Sequence, residues 1–161
     1  MNRRQSGFTL IELLIVIAII GILAAIAIPN LLNAVQRGKQ KRTMSDIRAL
    51  ATAIEAYAVD NNSYPLASCN PGVFTGGTEN LLATDSFTNL TPTYIAQPPL
   101  SDGWGHFMRY AINVGTNEYR VRSLGRNGTA SIIVCGTTTN FNDDIVYSNG
   151  SFIQWPEGTQ Y

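Results

Sequence analysis

The chain has 161 residues, which is enough for one domain of modest size together with one long apolar segment. Basic and acidic side chains both number 11, so the formal net charge is zero, and no basic excess indicates a nucleic-acid-binding protein. The sequence contains no CxxC pair, phosphate loop or cluster of histidines, and for the single histidine, His106, we expect a packing or surface role, so a catalytic function is not predicted.

An apolar run from Phe8 to Ile28 dominates the N-terminal part of the sequence, and Glu12 is its only charged residue. Its 21 residues are enough to cross the hydrocarbon core of a bilayer, about 30 Å thick, as a helix. A carboxylate inside such a run is energetically costly, so it usually indicates a functional partner. The plainer alternatives are that Glu12 stays near the membrane surface or is protonated.

Two ordinary interpretations of this run stay open from the residues alone. Arg3 and Arg4 before the run, and the Ala25–Ala27 triplet near its end, are typical of a cleaved secretory signal peptide. The run is long for a signal peptide, however, and Glu12 interrupts it. The other interpretation is a permanent membrane anchor for a globular domain.

The helical pattern continues beyond the apolar run. Pro29 lacks a backbone N–H, so we expect a kink or local melting there, and Gly21 is a second weak point. Further along, apolar side chains recur at intervals of three and four residues, which predicts an amphipathic helix with one buried stripe. The stripe consists of Ile47, Leu50, Ile54 and Tyr57. We expect one helix over about residues 8–60, ending near Asp60.

The remainder of the sequence predicts loops followed by strands. A short helix is expected around Leu81 and Leu82, and alternating segments follow from residue 107 onward. The predicted strands are Phe107–Asn113, Glu118–Leu124, Ser131–Cys135, Ile145–Tyr147 and Ser151–Trp155, with turns at Gly115–Asn117 and Asn149–Gly150. A long N-terminal helix packed on a small antiparallel sheet is an α+β fold.

The stretch Gly7-Phe8-Thr9-Leu10-Ile11-Glu12, after a short basic leader, resembles the prepilin signature of type IV pilins and type II secretion pseudopilins. The resemblance implies that a prepilin peptidase cuts between Gly7 and Phe8 and then methylates the new N-terminus at Phe8. It also implies a pilin fold with four parts. These are a leader peptide (1–7), a transmembrane and filament-core helix (8–28), its amphipathic continuation (29–61) and a globular head with an antiparallel sheet (62–161).

The same resemblance gives Glu12 a partner. After cleavage Glu12 is the fifth residue, and its natural partner is the α-ammonium group of Phe8 on a neighbouring copy. A paired charge is tolerated in an apolar environment far better than an unpaired one, so the pair would fix the axial register of a filament.

The charges flanking the apolar run conflict over orientation. The four basic residues that follow it outnumber Arg3 and Arg4, so a count of positive charges alone would place the C-terminal side in the cytoplasm. The four are Arg37, Lys39, Lys41 and Arg42. The resemblance implies the opposite orientation: a single-pass inner-membrane precursor with a cytoplasmic leader and a periplasmic head.

Two later stretches resemble the major pseudopilin of type II secretion systems. Asp102–Gly105 is similar to its Asp-Pro-Trp-Gly element, and Ser123–Gly128 to its Ser-Leu-Gly-x-Asp-Gly element. In that family two late loops hold a calcium ion. The ligands implied here are the carbonyls of Leu124 and Arg126, the side chain of Asn127 and a carboxylate of Asp143 or Asp144.

This chain departs from that pattern in two ways. Asn127 replaces an aspartate, and the segment Thr129–Asn142 is longer and carries Cys135. A disulfide between Cys69 and Cys135, which an oxidising compartment permits, is an alternative clamp for the loop, and the cysteines could equally be two buried thiols. A plain solvated acidic turn is the remaining alternative to a calcium site.

The resemblance implies a structural subunit rather than an enzyme, without a certain cofactor. Its partners would be copies of itself, the prepilin peptidase, an inner-membrane assembly platform and minor pilin-like subunits. The function expected first is the major pseudopilin of a type II secretion system, in a periplasmic pseudopilus. The alternatives are a type IV pilin of an extracellular pilus for adhesion, motility or DNA uptake, and a membrane-anchored binding domain that never polymerises.

Overall fold

One long helix and a small sheet make up the fold of this computed structural model, which describes residues 7–61, 80–81, 90–113 and 118–157. The helix, α1, is Leu10–Asp60. The strands are β1 (Asn80–Leu81), β2 (Arg109–Asn113), β3 (Glu118–Ser123), β4 (Gly136–Thr138), β5 (Ile145–Ser148) and β6 (Ser151–Pro156). The α+β fold predicted from the sequence is confirmed.

Helix α1 continues without interruption through Gly21 and Pro29. Local melting at Pro29 is therefore not present in this structure, and a kink there stays a prediction. Next to the proline, the Asn30 side-chain amide donates to the carbonyl oxygen of Ile26 at 3.1 Å. The carbonyl that Pro29 leaves without a helical N–H partner is that of Ala25, four residues earlier, so this bond does not replace the missing one.

The described chain divides into two compact units, of which the first ends at Val35 and the second begins at Gln36. All buried residues of α1 lie in the second unit, from Gln40 to Ala58. The predicted stripe is confirmed there: Ile47, Leu50 and Ile54 are buried, and Tyr57 is half-buried.

The sheet of the second unit has the strand order β1-β2-β3-β5-β6-β4. All neighbouring strands are antiparallel except β4 and β6, which are parallel. The helix stripe packs on this sheet and forms one apolar core with its side chains. The core includes Ile47, Leu50, Ala51, Ile54, Leu90, Met108, Tyr119, Val121, Ile145 and Tyr147.

The central strand β3 is buried along its whole length. Tyr119 and Val121 belong to the apolar core that includes the helix stripe. Arg120 and Arg122, which alternate with them, are also buried. Successive side chains of a strand point to opposite faces, so the face of the sheet away from α1 is covered as well.

The hairpin of β5 and β6 is closed by the predicted Asn149–Gly150 turn. Both residues have positive φ, 47° at Asn149 and 89° at Gly150, and Ser148 pairs with Ser151 across the turn. Two consecutive residues with positive φ give the turn a backbone twist that matches antiparallel strands, which explains the Asn-Gly sequence.

The predicted strand Ser131–Cys135 is wrong. The strand in this region is β4, which begins at Gly136, directly after the last residue of the predicted strand. The alternation that suggested a strand is present, since Ile133 is buried between exposed Ile132 and Val134. The backbone of this segment is bonded by side chains instead of by a neighbouring strand. Ser131 N–H donates to Asp144 Oδ2 at 3.1 Å, and Val134 N–H donates to Gln154 Oε1 at 2.6 Å.

Two other predictions concern the connections. Leu81, expected near the centre of a short helix, lies in strand β1, so that expectation is wrong at this residue, and Leu82 lies outside the described residues. The predicted turn at Gly115–Asn117 also lies outside the described residues, but the strands it joins, β2 and β3, pair as an antiparallel hairpin.

Candidate functional site

The start of α1 is closed by reciprocal hydrogen bonds between Thr9 and Glu12. Glu12 Oε2 accepts from the Thr9 N–H at 2.9 Å and from the Thr9 hydroxyl at 2.7 Å, and Glu12 N–H donates to Thr9 Oγ1 at 3.2 Å. This is a capping box, in which a threonine and a glutamate three residues later satisfy each other's backbone donors. Glu12 therefore already has an intrachain partner in the single chain.

The role of Thr9 was missed by the sequence reasoning, which gave Glu12 an intermolecular partner only. The signal that would have found it is the Thr-x-x-Glu spacing directly before a helical apolar run. The predicted pairing of Glu12 with Phe8 of another copy stays a prediction.

The first unit exposes an apolar helix surface. Every Leu, Ile and Val side chain from Leu10 to Val35 is at least 46% exposed. By length and composition, the helix contains a stretch that is long and apolar enough to cross a membrane. Monomeric soluble proteins rarely carry apolar patches of this size, so this surface belongs in lipid or against other protein.

The predicted cleavage junction precedes the helix. Gly7 and Phe8 are exposed and lie before α1 outside any helix or strand, and nothing lies within 4 Å of the position where a side chain on Gly7 would begin. This geometry is compatible with entry into a protease cleft, while cleavage and methylation stay predictions.

A second group of residues, around Trp104, fastens a loop to the helix of the second unit. The buried Asp102 carboxylate accepts the N–H groups of Trp104 and His106 at 2.9 Å each and the Ser123 hydroxyl at 2.8 Å. One short loop is thereby folded around a single carboxylate and joined to β3. His106 packs there, with Nδ1 lying 3.0 Å from the carbonyl oxygen of Gly125.

The loop contacts α1 through two hydrogen bonds and a close backbone approach at Gly103. Gly103 N–H donates to Thr43 Oγ1 at 2.9 Å, and Trp104 Nε1 donates to Gln36 Oε1 at 2.7 Å. A Cβ atom at Gly103 would lie only 2.4 Å from the carbonyl oxygen of Lys39. The glycine at this place therefore permits a close approach that any side chain, including a proline ring, would prevent.

The structure brings the two predicted metal-binding loops together. Arg126 N–H donates to the carbonyl oxygen of Phe141 at 2.9 Å, and Arg126 Nε donates to Asn142 Oδ1 at 3.0 Å. Asn127 Oδ1 accepts from the Thr129 N–H at 3.0 Å. The side chains of Arg126 and Asn127 are exposed, whereas Asp144 is fully buried.

The Asp144 carboxylate is paired with an arginine that the sequence reasoning did not connect with it. Asp144 Oδ2 accepts from Arg122 Nε at 2.5 Å and also from Arg122 Nη2. Burial raises the pKa of the Asp144 carboxyl, while the Arg122 charge and the Ser131 N–H act in the opposite direction. No local sequence pattern predicts this pair, because the two residues lie 22 positions apart.

Of the two cysteines, only Cys135 is among the described residues. It is disulfide-bonded in this structure. Cys69 lies outside the described residues, so the pairing of Cys69 with Cys135 stays a prediction.

Comparison with known protein families gives two matches along the chain. Residues 2–28 match the family described as "Prokaryotic N-terminal methylation motif". Residues 30–133 match the family described as "Type II secretion system (T2SS), protein G". The first match covers the predicted cleavage junction and the capping box, and the second covers the amphipathic part of α1 and the Trp104 loop.

Two relatives named for the type II secretion system and one fimbrial relative align with most of this chain. The chain is 37% identical over 135 residues to the type II secretion system core protein G of Aeromonas hydrophila, covering 84% of this chain and 85% of the relative. It is 34% identical over 140 residues to the protein of the same name from Vibrio cholerae, covering 83% and 82%. The type IV major fimbrial protein FimA of Dichelobacter nodosus is 37% identical over 139 residues, covering 82% and 79%.

No solved structure matches the chain. The family match extends over more than half of the chain, and the relatives align with it over most of their own length. The chain therefore belongs to the type II secretion system protein G family.

Proposed function

We propose that this protein is a structural subunit that polymerises into a pilus-like filament, as the major pseudopilin of a type II protein secretion system. The observation that carries the proposal is the helix surface of the first unit, which is apolar on all sides, exposed in the single chain and marked by one acid. A filament core built from such helices would bury this surface, and the family match supports secretion as the setting.

The precursor is first a membrane protein. An N-terminal methylation motif together with one long apolar helix supports a membrane-anchored precursor. We infer an inner-membrane, single-pass topology with residues 1–7 in the cytoplasm and the head in the periplasm. Prepilin peptidase then cuts between Gly7 and Phe8 and methylates the Phe8 amine.

Assembly follows from the new N-terminus. In the proposed filament the Phe8 ammonium of one copy pairs with the Glu12 carboxylate of another, so two charges that would each be costly in an apolar core satisfy one another. The partners needed for assembly are the inner-membrane platform and minor pilin-like subunits. The role is structural rather than enzymatic.

The capping box allows the charge of Glu12 to be tested apart from its hydrogen bonds. Glu12→Gln keeps an oxygen that accepts from Thr9 but removes the charge, whereas Thr9→Val removes the hydroxyl of the cap and keeps the charge. Each variant is expressed with its assembly machinery, the mature N-terminus is identified by mass spectrometry, and filaments are counted by electron microscopy.

We expect all variants to begin at a methylated Phe8, Glu12→Gln to lose filaments almost completely, and Thr9→Val to keep a substantial part of them. Normal filaments from Glu12→Gln would contradict the pairing of charges. A processed wild-type protein that remains monomeric beside its machinery would support instead the membrane-anchored domain that never polymerises.

A type IV pilin is the second candidate, because FimA of Dichelobacter nodosus, a type IV major fimbrial protein, is 37% identical to this chain, the same identity as the secretion protein of Aeromonas hydrophila. Deleting the gene separates the two. Loss of a secreted enzyme with surface pili unchanged supports the pseudopilin, whereas loss of surface pili with secretion unchanged supports the pilin.

A further inference from the structure

Two late loops of the head, residues 124–128 and 140–144, are in direct contact with each other. A Cβ atom at Gly125, whose φ is 65°, would lie 2.7 Å from the carbonyl oxygen of Asp143 and 2.9 Å from that of Asn142. Together with the backbone hydrogen bond from Arg126 to Phe141, this brings the two backbones as close as a glycine permits. Calcium is the group that the family resemblance implies at this place, with Asp143 or Asp144 as its carboxylate ligand, and the surroundings of Asp144 bear on whether that residue can serve.

Those side chains already contain a cation. Arg122 and Asp144 are 7% and 0% exposed, and the guanidinium donates from both Nε and Nη2 to the same carboxylate oxygen, Oδ2. That oxygen also accepts from the Ser131 N–H. Arg122 Nη2 further donates to the carbonyl oxygen of Ser131, so one guanidinium joins β3, the start of β5 and the segment between them.

The Asp144 carboxylate, already bound to a guanidinium, is a poor ligand for a calcium ion. Calcium takes six to eight oxygen ligands and favours sites rich in carboxylates. Among the described residues, no group of three or more His, Cys, Asp or Glu side chains is placed to hold a metal ion. The side-chain oxygens of Asn127 and Asn142 accept hydrogen bonds from Thr129 and Arg126 instead.

Asp144 Oδ1, the other oxygen of this carboxylate, is buried and has no hydrogen-bond partner. A divalent cation on this oxygen would lie beside the Arg122 guanidinium on the other oxygen of the same carboxylate. Two cations bound to the two oxygens of one buried carboxylate repel each other strongly.

We infer that the Arg122 guanidinium is the cation that clamps the late loops of this head, so the head holds its fold without a divalent metal ion. The clamp extends through Gln154, which donates to the Asp144 carbonyl oxygen at 2.8 Å and accepts from the Val134 N–H. The segment Ser131–Val134 is thereby bound at both ends by buried side chains. The inference does not depend on whether the subunit forms filaments.

Thermal unfolding of the full-length protein in detergent micelles tests the inference. The fluorescence of Trp104 and Trp155 reports on the head under non-reducing conditions, in excess EGTA, in millimolar calcium and in millimolar magnesium. We expect the same Tm in all three. A Tm that rises in calcium but not in magnesium would overturn the inference, as would saturable binding of calcium to the wild-type protein in equilibrium dialysis.

A double-mutant cycle tests whether Arg122 and Asp144 act as a pair. Arg122→Gln and Asp144→Asn should each lower the Tm markedly, because each leaves one buried charge without its partner. The double variant should be no less stable than the worse single variant. Additive losses would show that the residues act separately and would contradict the clamp.

Arg126→Gln is the matched control. It removes an arginine of the same loop pair that is exposed and bonded to Asn142 rather than to a carboxylate. We expect only a small loss of Tm. If Arg122→Gln does not fold, the calcium dialysis and the EGTA comparison on the wild-type protein still decide the question.

Discussion

The two units of the chain treat their apolar side chains differently: the first unit exposes them, and the second unit buries them in a core. Up to Val35 the helix has no buried residue, although it is the most apolar part of the sequence. From Gln36 onward the structure buries apolar and polar side chains alike, including Asp102, Arg122 and Asp144. Apolar composition alone therefore does not mark the core of this protein.

The difference shows which part of the chain is complete by itself. The second unit has a core, hydrogen-bonded carboxylates and a clamp, so its stability arises from contacts within one copy. The first unit has a cap at its start and a large apolar surface, so it depends on lipid or on other copies. Mutations in the second unit should therefore change the stability of the single chain, whereas mutations in the first unit should change membrane insertion or assembly.

The largest difference is expected for a pair of truncations on the same helix. Leu50→Ala removes a fully buried side chain of the core and should reduce the free energy of unfolding of the head by about 4 kcal/mol. Ile17→Ala, in the first unit, removes a side chain that is 59% exposed and should leave the unfolding of the head unchanged. Denaturant titration of both variants in micelles, followed by tryptophan fluorescence, measures the difference. Equal losses in the two variants would show that the units are one cooperative structure.

A smaller loss is expected for Gly103→Ala. Its methyl group would lie 2.4 Å from the carbonyl oxygen of Lys39 in the helix backbone, which cannot move aside as a flexible side chain could. We expect a loss of about 3 kcal/mol in the same titration. Gly38→Ala is the matched control, because it lies in α1 with nothing within 4 Å and should gain up to about 1 kcal/mol from helix propensity. A stable Gly103→Ala variant would show that the Trp104 loop is not tightly docked on α1.

The smallest expected effect is a loss of stability at alkaline pH through tyrosine ionisation. It concerns the second unit only, because the first unit contains no tyrosine. Burial raises the pKa of Tyr110 to about 12, and burial with the hydrogen bond to Glu55 raises the pKa of Tyr119. A tyrosine with a raised pKa favours the folded state below its unfolded pKa of about 10, and this contribution is lost as the pH rises toward 12. For Tyr110 the loss is about 2 kcal/mol.

The measurement is the free energy of unfolding of the head as a function of pH, for the wild type and for Tyr110→Phe. The variant should lose less stability than the wild type between neutral and strongly alkaline pH. Parallel curves would mean that Tyr110 does not couple ionisation to folding. The first unit contains no tyrosine, so the helicity of that unit should not respond through this mechanism.

The features that the sequence predicts well are those that arise from local patterns. The stripe Ile47, Leu50 and Ile54 is visible as a helical period, and the Asn149–Gly150 turn is visible as a dipeptide with known backbone preferences. The acid at Glu12 stands out because its surroundings are apolar. The Thr9 cap was equally local and could have been predicted from the same stretch.

The features that the sequence did not predict depend on residues far apart in the chain. Ser131–Cys135 has the alternation of a strand, but its backbone is bonded by Asp144 and Gln154, whose positions are set by β5 and β6. Arg122 lies in a strand whose alternation suggests one open face, and only the folded sheet shows that both faces are covered. Tertiary contacts override local propensity at such places.

The hydrogen bonds between Thr9 and Glu12 have a consequence for how a filament would gain and lose subunits. Both hydrogen bonds from Thr9 end on Oε2, so Oε1 of the same carboxylate is left to accept from an amine on an adjacent copy. Joining then adds a partner to the carboxylate and leaves the helix cap in place. A subunit that leaves keeps the bonds of its cap, so growth and disassembly at a filament end can both proceed without an acid that has lost every partner.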